Sequence, residues 1–244
     1  MDLAKYVALL KDRSLHFARL DTFNDPFEGS LSKAEYDRIK QVAEAGEKGK
    51  QLPTDWQGHY FDVLIGSTRR SRKENYVNCW HMNLCESEAM WRLYSSSGFA
   101  IAVQSTYQRL TNSLPSNFDP ANHIGPFLGV IQYVDHHQDK FPSDNAFNAT
   151  MHKRLSFKHE NECRAVIWRV GPRNQQWPDG TPEHILATYP EGMKIPIKLE
   201  QLVERVVISP SAPKWFFDTV ADLTSRYDCT FPIEHSSLAM PPYL

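Results

Sequence analysis

Hydrophobic and polar positions change period several times along the chain, and each change marks an element. Residues 2–12 repeat with a helical period, with Asp2 placed to cap them. Residues 15–20 (LHFARL) alternate as a short strand does. DTFNDPFEGS then breaks the pattern with Asn, Asp, Pro and Gly, which predicts a loop holding several turns. Ser32 and Glu35 form an S-x-x-E capping box, so a helix is expected from there to about Gly46. A polar connection over 46–55 leads to a second helix over 56–70, which ends in the basic run RRSRK.

Beyond it, YVNCWH (76–81) predicts a strand and ESEAMWRLY (86–94) a helix with Ala89, Met90, Leu93 and Tyr94 on one side. Trp91 is expected in the core, and SSSG ends the helix. FAIAV (99–103) predicts a buried strand, and Ser105 a cap on a short helix. FLGVIQYV (127–134) predicts one more strand, 144–157 a helix, and 162–170 (ECRAVIWRV) a strongly β-prone strand. Gly and Pro make 171–192 a long loop. Short strands over 194–197 and 203–208, an amphipathic helix over 213–227 and a strand over 229–233 complete the chain. Strands interspersed irregularly with helices predict an α+β fold rather than a doubly wound parallel sheet. No Gly-rich dinucleotide turn and no P-loop occurs.

Composition narrows this little. The 244 residues are read as a single domain, 1–244, since 41% hydrophobic residues suffice for a core. A net charge of −2 argues against a molecule that is basic overall and binds nucleic acid by its whole surface. The four cysteines form no CxxC pair and read as cytosolic, buried free thiols. The N-terminus lacks a leader pattern, and no apolar stretch approaches the roughly 20 residues needed to span a bilayer, so a cytoplasmic protein is expected.

Candidate chemistry concentrates in few places. Glu160, Glu162 and Arg164 are expected to share one strand face by two-residue alternation. They are either a functional set or an exposed carboxylate–arginine ladder. In Phe23-Asn24-Asp25-Pro26-Phe27-Glu28, turn chemistry accounts for Asn24, Asp25 and Pro26, and anchoring accounts for the phenylalanines. Glu28 is left without a structural reason. Cys79, His81 and Cys85 make a C-x-H-x3-C cluster with no fourth ligand in sequence, and are read as ordinary thiols and a histidine. Arg69, Arg70, Arg72 and Lys73 read as a solvated helix end, or as a contact for a phosphate backbone, where a metal-dependent nuclease would draw on Asp25, Glu28 and Glu160.

Taken in order, NDPFE (24–28), Met90-Trp91 with Tyr94 and Gly98, and Glu160-x-Glu162-x-Arg164 resemble the bacterial domain-of-unknown-function 2971 family, over about residues 5–230. That resemblance implies an ADP-ribosyltransferase-like split β core with surrounding helices. It further implies use of NAD as a substrate, either to modify an unknown acceptor (protein or nucleic acid) or by hydrolysis. It assigns Glu162 and its neighbour Glu160 as catalytic carboxylates, Tyr94 and Ser96 to the nicotinamide and its ribose, and His16 or Arg19 to the grip on NAD. Asn24, Glu28 and Arg164 complete the implied cofactor contacts. A carboxylate suits this chemistry because breaking the nicotinamide–ribose bond builds positive charge on the ribose. A toxin or phage-defence effector, with an antitoxin or defence partner, is the implied setting. The alternative is a non-catalytic nucleotide- or protein-binding module of the same fold.

Overall fold

The computed structural model describes residues 1–49, 60–94, 98–116, 118–119, 123–141, 147–170 and 182–242. The fold is α+β, and it divides into two compact units: Met1–His16, Asn83–Ser116 and Lys194–Leu244 in the first, Phe17–Met82 and Asn117–Met193 in the second.

The first unit holds α1 (Leu3–Asp12), α4 (Glu88–Tyr94), β3 (Ile101–Gln104), α5 (Tyr107–Ser113), α7 (Leu199–Leu202), β9 (Arg205–Ile208), α8 (Lys214–Arg226) and β10 (Ile233–His235). Asp2 caps α1 by accepting from the Lys5 amide at 2.8 Å, as its sequence predicts. The helix stops at Arg13, whose φ of 45° turns the chain out. Strand β9 lies between β3, antiparallel, and β10, parallel. Tyr6, Leu10, Ile101, Val206, Ile208 and Val220 are buried around it. Each such side chain stabilises the fold by about 1.5–3 kcal/mol on leaving water. The Tyr6 hydroxyl meets Thr224 Oγ1 at 2.7 Å, so its buried oxygen is satisfied.

In the second unit α2 (Lys33–Gly49), α3 (Tyr60–Glu74) and α6 (Glu183–Leu186) accompany a five-stranded sheet. The strands are β1 (Ser14–Arg19), β2 (Asn75–His81), β4 (His123–Val130), β7 (Glu162–Arg169) and β8 (Gly192–Pro196), in the order β4-β7-β2-β1-β8. The unit boundary falls within β1 and β8. Strand β7 runs antiparallel to both β4 and β2, and its register sets Cys79 opposite Arg164 and His81 opposite Glu162. Strands β5 (Gln132–Val134) and β6 (His152–Arg154) form a separate parallel pair. Ser32 caps α2 by accepting from the Glu35 amide at 3.2 Å, half of the expected capping box; Glu35 itself turns to Arg38. Among the described residues no helix is long and apolar enough to cross a membrane.

Several expectations need correcting. The strand over 127–134 is two, because buried Ile131 turns its amide to the Glu162 carbonyl at 2.9 Å and Gln132–Val134 pair elsewhere. Where the sequence predicts a helix over 144–157, the described part, 147–157, holds a 3-10 turn (Ala149–Met151), then β6, then the start of a second 3-10 turn (Leu155–Glu160): pairing with β5 overrides the local helical period. The last strand begins at Ile233 rather than 229, where it can pair with β9. Thr106, not Ser105, caps α5. Helix α4 buries none of its residues: Leu93 and Tyr94 are exposed, and half-buried Trp91 donates to Glu86 Oε2 at 3.0 Å. Cys79 and Cys85 are exposed; Cys163 and Cys229 are buried. Residues 50–55 of the polar connection, 56–59 of the helix expected after it, 95–97 of SSSG, 144–146 of the expected 144–157 helix and 171–181 of the long loop lie outside the described residues.

Candidate functional site

Two pieces of backbone bring the charged residues of the second unit together. In the FNDPFE loop, Asp25 Oδ1 accepts from the Phe27 amide at 3.1 Å, the Asx turn that the sequence predicts, and the Glu28 amide donates to the Asp25 carbonyl at 3.1 Å. Gly29 follows with φ of +69°, a conformation that favours glycine. These turns direct Glu28 inward, where it is 1% exposed. Opposite, Asn161 at φ 39° swings the chain from the second 3-10 turn into β7. Glu160 therefore does not extend β7 as the sequence suggested; it closes the turn, and only Glu162 and Arg164 share a strand face. Val166 continues that face into an apolar cluster with Leu20, Val77, Phe23 and Met151.

Arg164 is fully buried and all five of its N–H donors are engaged. Nε and Nη2 hold Glu162 at 2.6 and 3.1 Å; Nη1 and Nη2 reach the two oxygens of Glu28 at 3.1 and 3.4 Å; Nη1 also donates to the Thr150 carbonyl at 2.7 Å. Lys153 of β6, itself buried, reaches Glu160 at 2.5 Å, Glu162 at 3.1 Å and Glu28 at 3.2 Å. Three carboxylates thus surround two cations, leaving one negative charge in excess. Beside them Arg154 makes a two-pronged pair with Asp25 (3.0 and 2.8 Å) and lies 4.7 Å over the Phe27 ring.

The environment fixes the charge states. Burial disfavours the charged form of Glu162, but Arg164 and Lys153 outweigh it and hold the carboxyl below its ordinary range. Burial likewise opposes the charge on Lys153, yet Glu162, Glu160 and Glu28 raise its pKa. Cys79 keeps contact with solvent while its sulfur lies among dense protein atoms. That desolvation, reinforced by Glu162 and Glu28 against the opposing pull of Arg164, pushes the thiol well up. It stays protonated and donates to Glu162. It is a poor thiolate and so a poor nucleophile.

Of the residues picked out from the sequence, Glu28, Glu160, Glu162 and Arg164 meet in this one network, with Asp25 beside it. Arg19 lies in the same unit but is spent on Asp21 at 2.6 Å and the Tyr189 carbonyl at 2.5 Å. Asn24 is exposed on the loop. His16 and Tyr94, both exposed, belong to the first unit, and Ser96 lies outside the described residues. Sequence reading missed Lys153 and Arg154, because it assigned their segment to a helix. It also missed Tyr133, whose hydroxyl accepts from the Glu162 amide at 2.8 Å. No spacing rule would have selected them; only the parallel pairing of β5 and β6 carries them to β7. The acidic set proposed for a nuclease metal is occupied otherwise, since Asp25, Glu28 and Glu160 each neutralise a basic side chain.

Phe27 also lines a groove of about 450 Å³, whose walls include Lys33 and Tyr36 of α2, Arg69 and Arg72 of α3, and His136. In comparisons with known proteins, the chain matches no family model, no curated protein and no solved structure.

Proposed function

We propose that the chain is a ligand-binding module of an ADP-ribosyltransferase-like kind, in which the Glu–Arg–Lys network is a scaffold and not a reacting centre. One observation carries this reading: both oxygens of Glu162 are engaged by Arg164 and Lys153, and the side chain is 3% exposed. A carboxylate so enclosed meets no substrate, and its bound cations already neutralise the charge that a ribose cation would require. The same pairs tie the FNDPFE loop to β7, which accounts for the Glu28 that turn chemistry left unexplained.

Transfer of ADP-ribose from NAD to an acceptor, or hydrolysis of NAD, is the second reading. It is favoured by the order of the NDPFE, MWxxY and ExExR motifs and by Glu160, whose side chain keeps 18% exposure at the edge of the network. Incubating the purified chain with NAD and following nicotinamide release separates the two. The expected result is no release above a protein-free control, and no difference between the native chain and Glu160→Gln. Release that disappears in a folded Glu160→Gln would overturn the module and establish the transferase-like enzyme.

A further inference from the structure

The groove beside Phe27 has a chemical character that the ion network does not explain. Its walls come from three segments: the loop end and first turns of α2 (Ser30 to Tyr36), α3 (Ile65 to Arg72) and the turn at His136 and His137. Among the described residues that line it none is acidic, whereas Lys33, Arg69 and Arg72 are basic. This local excess of positive charge stands out in a chain whose net charge is −2. Lys33 is paired with Asp37 on the next helical turn, but no carboxylate among the described residues pairs with Arg69 or Arg72. Helix α2, 17 residues long, begins at this groove, so its positive end adds to the field.

Polar groups here await a partner. His136 is 3% exposed and neither ring nitrogen has a hydrogen-bond partner of good geometry, the Val134 backbone acting on the ring only weakly; the Arg72 Nε is buried and unpaired as well. A buried donor or acceptor without a partner costs on the order of a hydrogen bond, which a ligand or ordered water offsets. Burial lowers the pKa of His136, so near neutral pH its ring offers one donor and one acceptor. The Val134 carbonyl acts on it only after burial, Asp25 and His152. Tyr36, 40% exposed and packed edge-on against Phe61 at 5.4 Å, presents a ring on the same groove. Basic side chains for phosphate, an aromatic ring for stacking and an imidazole for a polar ring edge together select one ligand class. A volume of about 450 Å³ lies in the range of small-molecule sites.

We propose that this groove binds a nucleoside phosphate, with the phosphate on Arg69 and Arg72 and the base facing Tyr36 and His136. The proposal rests on the binding-module reading and supplies its ligand class. Calorimetric titration of the whole chain with ADP, inorganic pyrophosphate and adenosine tests it. ADP is expected to bind, adenosine about tenfold or more weakly, and Arg69→Ala/Arg72→Ala to weaken ADP about tenfold or more. These α3 positions are exposed or half-buried, so the variant keeps its fold, which circular dichroism checks. His136→Phe is expected to weaken ADP severalfold while leaving pyrophosphate unchanged. Absence of binding by all three probes at millimolar concentration overturns the proposal, as does ADP affinity unchanged in the double arginine variant. Unchanged affinity would displace the ligand from this groove yet leave the module reading standing. Glu160-dependent NAD turnover would fell the module reading without altering the arginine dependence of ADP binding.

Discussion

Arg164 illustrates how one side chain can commit two distant segments. Among the described residues, its guanidinium is the only group that touches Glu28, Glu162 and the Thr150 carbonyl together, at full burial. Arg164→Met would fill much of the same volume but leave two buried carboxylates against a single lysine. Removing one partner of a buried ion pair costs about 3–5 kcal/mol, far more than loss of an exposed pair. The expected result is a loss of stability of that size in urea denaturation, with the change in Arg154→Met smaller because Arg154 is about a third exposed. At this scale the sequence was partly legible. Glu162 and Arg164, two apart before an apolar run, announced a shared face. Lys153 did not, because the signal that places it is hydrogen bonding between β5 and β6, which no local pattern records.

At the scale of elements, the FNDPFE loop depends on the residue that follows it, Gly29. A Cβ on Gly29 would fall 2.5 Å from Leu20 Cδ2 and 2.9 Å from Arg72 Cγ, and the φ of +69° disfavours any side chain. Gly29→Ala is therefore expected to destabilise the protein by about 2 kcal/mol and to lower the urea midpoint without changing its slope. The turn chemistry of this loop and the cap of α2 were readable because they are local. Capping and Asx turns are written in four or five consecutive residues. The split of 127–134 at Ile131 was not readable, since an unbroken apolar run carries no mark of the residue at which the chain changes partner. Residues 147–157 were misread for the converse reason: a helical period was present, and pairing with β5 won.

For the molecule as a whole, two buried groups link stability to pH in the same sense. His136 has a folded pKa lowered from 6.5 by burial and opposed by Asp25, with His152 and Arg154 adding to the lowering and Lys33, Arg69, Arg72 and His137 lining the same groove. The unfolded chain therefore takes up its proton first. Stability is fully present above about pH 6.5 and falls as pH drops from there through the folded value. Glu162, lowered from 4.5, adds a second decline below that pH. Urea midpoints measured between pH 7.5 and 5 are expected to fall, and His136→Phe to flatten the decline; an unchanged slope in that variant would assign it to other histidines. The α+β class, and most of its helices, were legible from periodicity. The division into two units was not signalled by composition, because the chain passes between them more than once, as in β1 and β8, without a change of residue type.

The network also bears on how this sequence can change over generations. Glu28, Lys153, Glu162 and Arg164 stand as one group: loss of either cation leaves like charges buried together, and loss of Glu28 or Glu162 strips acceptors from a buried cation. Folded domains hold only about 5–15 kcal/mol in reserve, so a single replacement here uses up a large share of it. Drift through one position at a time is disfavoured most at the two cations. Lineages descended from this chain are expected to keep Lys153 and Arg164 together, or to exchange the whole set for an apolar one of similar volume.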